Sequence, residues 1–180
     1  TAPLGAPSGE PFTILYAGGL SQAYGVDRLI DAVISIVELP VRLKLFGRGD
    51  QESRIRELAA NDSRFFYGGF VGSEQLVPEL LRADVLVNPR PTHEEFSVMS
   101  FPSKLIEYLA MGRPVLTTRI ASIPVSYREN FFFIDDESPN GMREAILALA
   151  AMPNGEREGR ASRGRDFIVS EASEYAVGEK

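Results

Sequence analysis

The sequence predicts an α/β domain built on one doubly wound, Rossmann-like parallel sheet of about six strands flanked by helices. Three observations carry this expectation. Short runs rich in β-branched or aromatic residues alternate with longer segments whose apolar residues recur at helical spacing. Most of the short runs are apolar on both faces, as a strand covered by helices on both sides requires. Strict alternation with right-handed crossovers then winds the strands into one sheet.

Thr1–Pro11 is rich in Pro, Gly, Ala and Ser without apolar periodicity, and reads as a linker. The first strand is Phe12–Ala17. Val26, Leu29, Ile30, Val33 and Val37 then form one stripe of a helix that Pro40 ends. A strand at Val41–Phe46, a helix over Gln51–Ala60 and a strand at Arg64–Tyr67 follow. Ser73, with Gln75 and Leu76, predicts a capped helix near Ser73–Arg82, which Pro78 limits to its later part. After a strand at Asp84–Asn88, the next helix begins around Pro102, since a first-turn N–H has no partner to lose, and stops at Gly112. Strands at Pro114–Thr118 and Phe131–Ile134 and helices over Asn140–Met152 and Glu156–Val169 complete the domain, with residues 171–180 as a tail.

The 180 residues, 44% hydrophobic and 24% charged, have the balance of one soluble globular domain with a sizeable core. A formal net charge of −6 argues against nucleic acid as a partner, although a local basic pocket is compatible with it. The absence of cysteine excludes disulfides and thiolate metal sites, and a cytoplasmic setting fits best. No apolar run approaches the roughly 18 to 20 residues of a spanning helix, and no basic-then-apolar signal opens the chain.

In an open parallel sheet, ligands bind beyond the carboxyl ends of the strands, so the loops there are the informative ones. After the first strand stand Gly18 and Gly19, which either let backbone N–H groups approach anionic oxygens or simply make a tight turn. Gly47-Arg48-Gly49-Asp50 follows the second strand. It does not match G-x-G-x-x-G, which disfavours a hydride-transfer enzyme, and Asp50 is as well read as a helix cap as a ligand contact. Gly68-Gly69-Phe70-Val71 follows the third strand and sets small residues beside an apolar pair on which a flat base can lie.

The loop from Asn88 to Tyr108 is the densest polar cluster. Arg90, Lys104 and the helix N-terminus near Pro102 together offer the positive charge and free N–H groups that a diphosphate needs. A lysine in a first turn opposes the helix dipole by roughly a few tenths of a kcal/mol, so Lys104 is either there for a ligand or an ordinary surface lysine. Glu107, one turn on, either accepts two hydrogen bonds from the vicinal diol of a ribose or pairs with Lys104 at i, i+3. His93, the only histidine, lacks an evident carboxylate to orient it and is read as incidental.

The run Lys104-Leu105-Ile106-Glu107-Tyr108-Leu109-Ala110-Met111-Gly112-Arg113-Pro114-Val115 resembles the signature segment of family 4 glycosyltransferases, where a ribose-binding glutamate opens a helix ending in Met-x-Gly-x-Pro-Val. Tyr16–Leu20 with Tyr24-Gly25-Val26-Asp27 is similar to that family's opening strand and loop, and Phe70-Val71 to its base-contacting turn. The resemblance spans Phe12 to Met152. Asn88-Pro89-Arg90, Glu94-Glu95-Phe96 and Phe101–Lys104 are similar to a subgroup associated with bacterial surface-polysaccharide assembly.

The resemblance implies half of a GT-B fold, with residues 12–170 as the donor-nucleotide-binding domain of a retaining transferase acting in polysaccharide or glycoconjugate biosynthesis. It implies a UDP- or GDP-linked sugar as donor, with no cofactor besides, no metal, and an N-terminal acceptor domain as partner. Peripheral contact of a longer protein with the inner face of a membrane stays open. The substrate-binding residues it points to are Gly18, Gly19, Gly47, Phe70, Val71, Arg90, Glu95, Phe96, Ser103, Lys104 and Glu107; no residue is assigned a catalytic role.

Three departures matter. Met99 stands where the family commonly has a second glutamate, and Glu95 is the candidate replacement. Gly19 and Tyr24 stand where the opening loop commonly supplies an arginine and a lysine to the diphosphate. Either Lys104 and Arg90 hold that group, or part of the catalytic apparatus is lost. The N-terminal acceptor domain is not in this chain. The competing readings are therefore an enzyme's donor domain and a non-catalytic module for nucleotide sugars or other phosphate compounds. A receiver-type signalling domain would need an acidic cluster where Gly18-Gly19 stand.

Overall fold

A computed structural model describes residues 10–94 and 103–178. In chain order the strands are β1 (Phe12–Ala17), β2 (Val41–Phe46), β3 (Phe65–Gly69), β4 (Val85–Asn88), β5 (Val115–Thr118) and β6 (Phe132–Ile134). The helices among the described residues are α1 (Val26–Ser35), α2 (Glu52–Asn61), α3 (Ser73–Arg82), α4 (Ser103–Ala110), α5 (Pro139–Ala151) and α6 (Asn154–Gly178). The six strands form one parallel sheet in the order β3-β2-β1-β4-β5-β6, the doubly wound arrangement the alternation predicts.

The period of two along the strands sorts the core into two layers. Phe12, Ile14 and Tyr16 of β1 pack with Leu29, Ile30 and Val33 of α1, Ile55 of α2 and Met142, Ile146 and Leu149 of α5. Leu15 and Ala17 face the other way, onto Leu80 of α3 and Leu105, Tyr108 and Leu109 of α4. The central strands are buried on both faces, which is why their limits were legible to within a residue or two.

The helix ends differ more, each for a tertiary reason. α1 stops at Ser35 and does not run on to Pro40. Ile36, in extended backbone, takes the buried place, while Val37, expected in the stripe, is 85% exposed. The Arg64 guanidinium ends the helix from outside, donating to the carbonyls of Val33 (3.2 Å), Ile34 (3.4 Å) and Ile36 (3.1 Å). Carbonyls at a helix end need partners, and a cation there also suits the dipole. Arg64 thus precedes β3, which starts at Phe65 and continues to Gly69.

α3 begins at Ser73 with Gly72 in the cap position and no side-chain cap bond, so Ser73 is not the cap. Pro78 lies inside the helix and does not confine it, because Leu76 and Leu80 on either side of it pack into the same layer. α5 ends at a second arginine cap. Arg157 donates to the carbonyls of Leu149 and Ala150, both at 3.1 Å. α6 continues through Gly178, well past Val169.

Arg64→Met should lower stability by about 1.5–3 kcal/mol, the range for hydrogen bonds to a charged group, whereas Val37→Lys should stay within about 0.5 kcal/mol. Urea unfolding at constant slope measures both, and a costly Val37→Lys would return Val37 to the core stripe.

Candidate functional site

The strand order reverses between β1 and β4, and the loops at their carboxyl ends build a cleft. The parallel ladder continues past the strands into these loops. Gly18 N–H donates to Phe46 O (2.9 Å), Leu20 N–H to Arg48 O (2.8 Å) and Gly47 N–H to Gly69 O (2.8 Å). Two glycines permit this approach. At Gly47 (φ +134°) a Cβ would lie 1.8 Å from Gly18 O, and at Gly18 (φ +152°) it would lie 2.0 Å from Lys104 Nζ. The Gly18 amide is therefore committed to Phe46 and not offered to a ligand. Gly18 is needed to let the loops touch and to admit the Lys104 ammonium.

The cleft has a volume of about 570 Å³. Of the residues named from the sequence, Gly18, Gly19, Gly47, Phe70, Val71, Ser103, Lys104 and Glu107 line it. Arg90 stands beside it, not in its lining. Glu95, Phe96 and the start of the helix at Pro102 lie outside the described residues. The lining also includes Ala17, Phe46, Arg48, Leu76, Leu80 and Tyr108, none of which was picked out from sequence. Leu76 and Leu80 follow from their i, i+4 spacing on α3, but Arg48 sits in a loop where no periodicity marks it.

α4 is held against the end of β1 by Tyr108. Ala17 N–H donates to the Tyr108 hydroxyl oxygen (2.9 Å), and the hydroxyl donates to Ala17 O (3.3 Å). Burial pushes this phenol well above its ordinary range, and does the same to Tyr16, whose hydroxyl donates to Gly19 O (2.8 Å). Lys104, half-buried, places its ammonium 4.4 Å from the Tyr16 ring centroid. Burial, and secondly the charge of Arg90, lower its pKa to about 8, against the opposing pull of Glu107. Lys104 and Glu107 form no ion pair with each other, so the i, i+3 pairing is not realised.

Arg90 reaches this region from β4. Its carbonyl accepts from Thr118 Oγ1, and Thr92 N–H donates to Glu137 (3.1 Å), which together tether the loop. Its guanidinium lies 6.0 Å from the Tyr24 ring centroid, and burial lowers its pKa. The Tyr24 ring covers Gly19, where a Cβ would meet it at 2.6 Å. His93 is largely exposed, 3.7 Å from Glu94.

A Rossmann-like sheet with a cleft of this make-up across its switch point has the architecture of one domain of a GT-B glycosyltransferase. Residues 11–152 match the family described as glycosyl transferases group 1, and the chain belongs to it. It is 28% identical over 160 residues to a GDP-mannose-dependent alpha-(1-6)-phosphatidylinositol dimannoside mannosyltransferase of Mycobacterium tuberculosis, covering 87% of this chain and 40% of that protein. It is 23% identical to the putative colanic acid biosynthesis glycosyltransferase WcaL of Escherichia coli, covering 97% and 45%. Among solved structures it is similar to Anabaena Alr3699/HepE in complex with UDP and glucose, at a TM-score of 0.67 and 17% identity, covering 93% of this chain and 48% of that one. The chain spans less than half the length of the curated relatives it matches. Among the described residues no helix is long and apolar enough to cross a membrane.

The lowered pKa of Lys104 has a consequence for stability. Between about pH 8 and the ordinary lysine value near 10.4, the unfolded chain binds a proton that the folded chain has released, so stability rises with pH through that window. Relative to Lys104→Met, the wild-type urea midpoint should therefore climb between pH 8 and 10. An ε-amino NMR titration with an ordinary midpoint would contradict this.

Proposed function

We propose that this chain is the donor-binding domain of a retaining glycosyltransferase that takes a sugar from a UDP- or GDP-linked donor. The observation that carries the reading is the placement of Lys104 and Glu107. They stand one turn apart on α4, and both line the cleft at the sheet's switch point. In this reading the diphosphate lies against the Lys104 ammonium, within the field of Arg90 and near the amino end of α4. Glu107 accepts from the ribose hydroxyls, and the base lies along Phe70 and Val71. Gly19, Gly47 and Ser103 complete the walls, with Glu95 and Phe96 the candidates for the sugar side.

As the glycosidic bond breaks, negative charge grows on the leaving diphosphate. Fixed cations and N–H groups already aimed at it lower that barrier without reorganising. No metal or further cofactor enters this scheme. A separate N-terminal domain supplies the acceptor site and the other wall of the cleft, which agrees with the coverage of the relatives. The names of those relatives support a role in polysaccharide or glycoconjugate assembly; a cytoplasmic setting with peripheral membrane contact by the longer protein is part of the same proposal. The second reading, a module that binds the nucleotide sugar without chemistry, is favoured by Gly19 and Tyr24, which stand where the resemblance calls for cations.

Glu107→Ala should weaken nucleoside diphosphate binding by about 1.5–3 kcal/mol in calorimetry with the fold unchanged. Lys104→Ala should lower affinity for the diphosphate far more than for the uncharged nucleoside, and the wild-type difference should shrink with salt. Equal losses for both ligands would remove Lys104 from the diphosphate site.

The 180 residues alone should transfer no sugar in a donor–acceptor assay, whereas a longer protein with the acceptor domain should. Turnover by the short chain would refute the division of labour, and a longer protein that binds donor without transfer would favour the binding module.

A further inference from the structure

Arg48 is the charged side chain that the sequence left without a role. If Lys104 and Glu107 engage the diphosphate and ribose, the stretch walled by Phe46, Phe70, Val71, Leu76 and Leu80 is left for the base. Those side chains are apolar and carry no hydrogen-bonding information. Arg48 stands at their edge with its guanidinium carbon 5.3 Å from the Phe70 ring centroid. Its root is fixed, because its carbonyl accepts from Leu20 N–H and Gly47 before it is bonded to Gly69.

The neighbouring carboxylates are engaged elsewhere. Asp50 accepts from Ser21 Oγ and Gln22 N–H, and Glu52 accepts from Gly49 N–H and the Tyr67 hydroxyl while pairing with Arg56. Arg48 forms no ion pair among the described residues. Its planar fork has five N–H donors and no acceptor, and the Phe70 ring supports one face of it.

We propose that Arg48 reads the base of the donor and selects guanine, an inference that rests on the cleft being a nucleoside-diphosphate site. Guanine O6 and N7 are adjacent acceptors that a guanidinium fork meets with two parallel bonds. Adenine sets an amino donor beside N7, so one arm of the fork meets a donor. Uracil sets its N3–H donor between two carbonyls and so presents no such adjacent pair of acceptors.

The test is calorimetric titration of the 180-residue chain with GDP, IDP, ADP and UDP, in wild type, Arg48→Ala and Arg48→Lys. IDP keeps O6 and N7, so it should bind within a few-fold of GDP, with ADP and UDP about 10- to 100-fold weaker. Arg48→Ala should bring GDP and IDP down to the level of ADP and leave ADP within a few-fold. Arg48→Lys, a charge without a fork, should do nearly the same. Arg48 is exposed, so the variants retain the fold.

Binding of all four ligands without preference, or an equal loss for all of them in Arg48→Ala, overturns base reading while keeping the nucleoside-diphosphate site. A preference for UDP or ADP overturns the assignment to guanine. Failure of every ligand to bind overturns the site and this inference with it.

Discussion

The carbonyl oxygen of Gly18 lies 1.8 Å from where a side chain on residue 47 would begin, so the loops after β1 and β2 meet backbone to backbone. Three further backbone hydrogen bonds extend that contact across three loops, and the cleft acquires a floor of hydrogen-bonded main chain continuous with the sheet beneath it. The same lack of a Cβ at Gly18 opens the space into which Lys104 reaches. Tyr108 then fixes α4 against Ala17, so ammonium, glutamate and floor keep one geometry. Remove the close approach and each of these distances changes.

The arrangement holds positive charge in a place that opposes it. Lys104 is partly withdrawn from water, lies near the like charge of Arg90, and has an aromatic face instead of a carboxylate for company. Burial and Arg90 disfavour the ammonium in the free protein, while the Tyr16 ring and Glu107 favour it, and under the proposed function an anion entering the cleft would offset the first two. In that proposal, stability is given up where binding requires charge. The two arginine caps, Arg64 and Arg157, show another use of the same group, each directing Nη1 at the last carbonyls of a helix.

Much of the candidate site is legible in the sequence. Lys104 and Glu107 are three residues apart on a helix, and helical geometry alone puts them on neighbouring positions of one face. Phe70, Val71, Gly18 and Gly47 follow strand ends, where a parallel sheet places its ligands. Arg48 carries no such mark, and Arg90, although named from the sequence, could not be placed by it. Both lie in loops, and where a loop side chain points depends on partners far away in sequence, such as Phe70 for Arg48, and Tyr24 and Thr118 for Arg90. Glu95 and Phe96 belong to the same kind of segment and lie outside the described residues.

Periodicity was enough for the parallel sheet, its six strands and the order of its helices, because burial on two faces leaves a pattern that local neighbours alone can carry. It was not enough for the helix ends. α1 stops at Ser35 because an arginine 29 positions later reaches its last carbonyls, and α3 runs through Pro78 because buried Leu80 and partly buried Leu76 pack into one layer around it. Nor did it assign the purpose of Gly18, whose amide was open to a ligand in the sequence and is bonded to Phe46 in the fold. Contacts of this kind join residues distant in the chain, and they come into being only when the sheet brings its loops together.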